Sequence, residues 1–75
     1  MHDADLIRMA NQIATFFKAY PHDEAVRETA NHIKSFWDPR MRRQIHEIGQ
    51  RADHGLDPVV IEALTQVPVP APVTS

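Results

Sequence analysis

Prolines constrain this chain more than any other feature. Pro21, Pro39 and Pro58 interrupt stretches whose apolar residues recur every three or four positions. Inside a helix, proline removes an N–H and clashes with the preceding turn, but it fits the first helical position. Two of the three follow an aspartate, in Asp38-Pro39 and Asp57-Pro58. An aspartate just before a helix accepts a bond from an orphan backbone N–H, so each pair marks a helix start. The chain must fold as several short helices, not as one long one.

The stripe Leu6, Met9, Ile13, Phe16 and Phe17 predicts an amphipathic helix from Asp3 to about Ala19, capped by Asp3 or Asp5. A second helix is expected from His22-Asp23 to Phe36 or Trp37, with Val26, Ala30, Ile33, Phe36 and Trp37 on its inner face. The short connection around Pro21 implies an antiparallel hairpin. A third helix opens at Pro39 with Met41, Ile45, Ile48 and Ala52 on one side, weakened near its end by Gly49. Ala52-Asp53-His54-Gly55 reads as a terminating loop in which Gly55 can take positive φ. A short fourth segment carries Val59, Val60, Ala63 and Leu64. The fold class is all-α: an antiparallel helical hairpin, a third helix and a short fourth, in one domain over residues 1–66. From Val67 to Ser75 proline alternates with small residues. That tail is expected to be disordered and extended, with no core to join, or to dock in a partner's groove.

With 75 residues, a single modest core is available, typically leaving about 3–5 kcal/mol of net stability. The absence of cysteine removes disulfides, thiolate zinc sites and iron–sulfur ligation, and suits a reducing, cytoplasmic compartment. A net charge of −2 argues against the chain as a whole binding nucleic acid or anionic membrane. No apolar run approaches the roughly 20 residues of a membrane span, and the acidic start is unlike a signal peptide.

The first two helices share a pattern. Ala10-Asn11-Gln12-Ile13-Ala14-Thr15-Phe16-Phe17 aligns with Ala30-Asn31-His32-Ile33-Lys34-Ser35-Phe36-Trp37 at a spacing of 20 residues. Either two packing helices have converged on Ala-x-x-Ile-x-x-Phe spacing, or half a hairpin has been duplicated; both readings are open. Asn11 and Asn31 fall roughly opposite the apolar stripes of their helices. They are tolerated surface residues or polar contacts to something outside the chain.

No catalytic constellation stands out. His2, His22, His32, His46 and His54 form no helical metal-ligand pair, and two glycines cannot build a phosphate loop. Size and residue content point to a non-catalytic subunit or interaction module with no cofactor or metal of its own. Arg40, Arg42 and Arg43 are the oddity, because a helix start carries partial positive charge and prefers acids. They are either a solvated face or a receptor for carboxylate or phosphate. A helical nucleic-acid binder that reads through this basic turn is the alternative from another class, opposed by the acidic net charge.

Three runs carry a resemblance. Leu6 to Phe17 and Ala30 to Arg43, with the later Leu56-Asp57-Pro58-Val59-Val60-Ile61-Glu62-Ala63-Leu64, resemble the delta subunit of soluble, NAD-dependent, molybdenum-containing formate dehydrogenases. The likeness spans about residues 5–65. It implies an accessory subunit in a complex whose large subunit holds the molybdenum centre and iron–sulfur clusters, while others hold flavin and bind NAD. The resemblance assigns this subunit no cofactor and no catalytic residue, and associates it with assembling or stabilising the active enzyme. On that reading the large catalytic subunit is the partner, met through Asn11, Asn31, Trp37, Arg40, Arg42 and Arg43.

Overall fold

The computed structural model describes residues 2–69; the rest of the proline-rich tail lies outside the described residues. Four helices follow in order: α1 (Asp3–Phe17), α2 (His22–Phe36), α3 (Pro39–Gly49) and α4 (Pro58–Leu64). No strand occurs among the described residues, so the class is all-α, as the proline spacing predicts.

The aspartate–proline pairs start helices. Asp38 accepts the Met41 N–H at 2.8 Å, and Asp57 accepts the Val59 N–H at 2.9 Å. The start of α1 differs from expectation. His2 holds the cap position without a side-chain bond, and neither Asp3 nor Asp5 caps. Asp3 is the first helical residue, and its carboxylate accepts from Gln44 Nε2 at 2.9 Å and Arg51 Nη1 at 2.7 Å. A charge-assisted bond to arginine is stronger than a bond to a neutral N–H, so the carboxylate ties α1 to α3 and its far end.

Small residues are prominent on the buried faces of α1 and α2. Ala10, Ala14, Ala25 and Ala30 are fully or almost fully buried, together with Leu6 and Ile33. Alanine takes little volume, so buried alanines permit helices to approach closely, with bulkier neighbours left at the flank. Phe16 and Phe36, expected inside, are 67% and 73% exposed. Each sits six residues after a buried alanine of the repeated pattern, Ala10 or Ala30, which turns it about 120° from the contact.

On α3, Ile45 and Ile48 are buried and Met41 is half-buried. Ala52, expected on the same stripe, is exposed because the helix stops at Gly49. Val59, Val60, Ala63 and Leu64 bury α4 against the hairpin. Gly49 of α3 also lies close to α4: a Cβ there would sit 3.1 Å from Leu64 Cδ1. Val67 corrects the reading of the tail. It is buried in the core, and its N–H bonds the Leu64 carbonyl at 3.2 Å. Pro68 comes one residue later, so Val67 can still complete a turn after α4 and pack inward.

The loop before α4 is pinned to α1. Gly55 takes φ 68°, a region glycine enters freely. Asn11 donates to the Gly55 carbonyl at 3.0 Å and accepts the Asp57 N–H at 2.8 Å. Lys18 pairs with the Asp57 carboxylate.

Two carboxyls titrate low in this setting. Hydrogen bonds from Gln44 and then Arg51 hold Asp3 below the ordinary carboxylate range. Burial pushes Asp57 up, but the hydrogen bonds from Lys18 and the Val59 N–H, with the Lys18 charge, outweigh it and leave the carboxyl lowered. Their contribution to stability is therefore complete above the unfolded value of about 4. It is lost as pH falls through the lower native values. Thermal melts should show stability dropping more steeply below pH 4 in the native sequence than in an Asp3→Asn/Asp57→Asn variant. Equal slopes would refute this assignment.

Candidate functional site

Beside the alanine contact, α1 and α2 frame an apolar cleft of about 620 Å³. Met9, Gln12, Ile13, Phe16 and Phe17 form the α1 wall; His32, Phe36 and Trp37 form the α2 wall, and Met41 closes the α3 end. No residue of α4 lines it. Phe16 stands edge-on to Phe17, with ring centroids 5.0 Å apart, and His32 packs on Phe36 at 4.7 Å. These local contacts hold the two exposed rings in place. His32 is the one ionisable side chain in the lining, which is otherwise apolar apart from Gln12.

The repeat explains the cleft. Each copy ends in two consecutive aromatic residues, Phe16-Phe17 and Phe36-Trp37. Neighbours on a helix differ by about 100°, so both are buried only where packing covers a wide arc of the helix, as at Val59 and Val60 on α4. Phe17 is half-buried and Trp37 buried, while Phe16 and Phe36 project outward. Reading both members of each pair as inward-facing missed this surface, and the doubled aromatics were the signal that could have found it.

The residues proposed from sequence are scattered. Asn11 bonds within the chain at both ends of its amide, because its place on α1 lies against the loop before α4. It differs in this from Asn31, which is exposed on α2. Trp37 is 5% exposed and serves as a wall of the cleft. Arg40 is exposed, and with Arg43, Asp3, Gln44 and Glu47 it surrounds a shallow hollow of about 340 Å³. Arg42 is half-buried, and its Nε is buried without a hydrogen-bond partner. The three arginines thus do not converge on one point, and the cleft and the arginine turn meet only at Met41.

Among the described residues, no three or more His, Asp or Glu side chains gather in a way that could hold a metal ion. His22 Nε2 lies 2.6 Å from Glu62 Oε2, in an exposed contact that joins α2 to α4. Among those residues, too, no helix is long and apolar enough to cross a membrane.

No curated protein and no solved structure matches the chain. The family model described as NADH-dependent formate dehydrogenase delta subunit FdsD matches residues 5–64, which takes in all of α2, α3 and α4 and most of α1. The match covers the paired aromatics, the arginine turn and both aspartate–proline starts, and the chain belongs to the formate dehydrogenase delta subunit family.

Proposed function

We propose that the chain is a non-catalytic accessory subunit of a cytoplasmic, NAD-dependent formate dehydrogenase. It binds the large catalytic subunit and supports assembly or stability of the active complex. The observation that carries this reading is the pair of exposed phenylalanines, Phe16 and Phe36, over an apolar cleft. Leaving two such rings in water is unfavourable by about 1.5–3 kcal/mol each relative to burial. A partner that covers them recovers that energy. Purification of the tagged chain from its host should bring down a complex with formate dehydrogenase activity. Recovery of the chain alone, with activity elsewhere, would overturn the proposal.

The arginine turn gives a second, independent check. Changing Arg40, Arg42 and Arg43 to Gln removes charges that oppose the α3 dipole, so the isolated protein should melt at the same temperature or slightly higher. Association with the large subunit should weaken by a few kcal/mol, roughly, if these groups meet carboxylates across the interface. Unchanged association at low and moderate salt would assign them to solvent.

A further inference from the structure

We propose that the cleft between α1 and α2 receives one amphipathic helix of the partner subunit, with large apolar side chains on one face and carboxylates along the edge that meets α3. The inference rests on the accessory-subunit reading and names the chemistry that fills its site. Shape is the first ground. Two antiparallel helices in contact leave a groove along their seam, and a third helix packs there by setting its ridge of side chains into it. Anchors at i, i+3, i+4 and i+7 would lie against Phe16, Ile13, Met9 and Phe36, which line the groove.

Charge is the second ground. The lining itself is almost free of charge, but Met41 at its α3 end is bracketed by arginines. Arg40 and Arg42 stand about 100° to either side of it on the helix. The first turn of α3 contains no acidic residue, and the Asp38 carboxylate that caps it offsets part of the positive charge there. Arg40, next to Met41 in sequence, is exposed, so its guanidinium is open to a carboxylate. A helix edge with Asp or Glu complements this rim. The chain's own tail fits less well. The segment leading to it, Thr65-Gln66, shares a hollow with Asp23, Val26 and Glu62, none of which lines the cleft, and residues 68–75 carry no charged side chain for the arginines.

Site-specific photo-crosslinking in the native host tests this. The full tagged chain carries Phe36→p-benzoylphenylalanine, with Asn31→p-benzoylphenylalanine as the control outside the cleft, and cross-linked peptides are mapped after purification. Adducts from position 36 should fall in one segment of a dehydrogenase subunit, on residues spaced three, four or seven apart, with acidic residues on one side. An added Arg40→Gln/Arg42→Gln change should lower that yield about 10-fold. Adducts on the proline-rich tail, on a second copy, or spread over unrelated segments would overturn the proposal, as would none from a chain that still co-purifies with the enzyme. Failure to co-purify with formate dehydrogenase at all would instead overturn the accessory-subunit reading and this inference with it.

Discussion

Trp37→Ala should lower the unfolding free energy by about 3–5 kcal/mol, the usual cost of emptying a buried tryptophan site. Trp37 is 5% exposed and packs where the end of α2 meets the start of α3. Few nearby groups can fill the gap: Ile33 is fully buried, and the backbone is fixed by the Asp38 cap. A domain of this size holds about that much stability in total. The variant should therefore be largely unfolded at room temperature, and any loss of complex formation follows from that. Urea titration followed by circular dichroism measures it. Phe36→Ala is the matched control, since a 73% exposed ring contributes little to the monomer; its stability should change by less than about 0.5 kcal/mol. A stable Trp37→Ala protein that no longer associates would place the indole in the interface.

Asn11→Ala should cost about 1–3 kcal/mol, whereas Asn31→Ala should change stability by less than about 0.5 kcal/mol. The Asn11 amide satisfies the Gly55 carbonyl and the Asp57 N–H together, and its removal leaves the half-buried Asp57 N–H without that acceptor. The same loop sets the start of α4, whose buried valines and leucine close the core. Hydrogen exchange should thus speed up across α4 in Asn11→Ala and stay unchanged in Asn31→Ala. Equal effects of the two substitutions would show that the repeated asparagines play the same part.

The contrast between these asparagines shows how far the sequence reaches. They occupy equivalent places in two aligned segments, and helical periodicity puts both away from the apolar stripes. Nothing local separates them. Asn11 becomes a clamp because the loop before α4 folds over that side of α1, a contact between residues more than 40 positions apart. Asn31 has no such loop against it and stays exposed. Asp3 follows the same logic: a local rule predicts a cap, and distant Arg51 and Gln44 take the carboxylate instead.

The sequence by itself determined the four helices, their order and two of their starts, because proline, aspartate and apolar periodicity act within a few residues. It determined the fully apolar inner face of α4 and the positive φ of Gly55 for the same reason. Only the tertiary structure decided which large residues enter the core. Alanines, not Phe16 and Phe36, hold the buried positions of the repeated pattern on α1 and α2. The two phenylalanines expected inside therefore line an open cleft, and Val67, expected outside, is buried. Burial depends on what packs against a helix face as well as on the period of that face, and here the packing of one helix against another made the site.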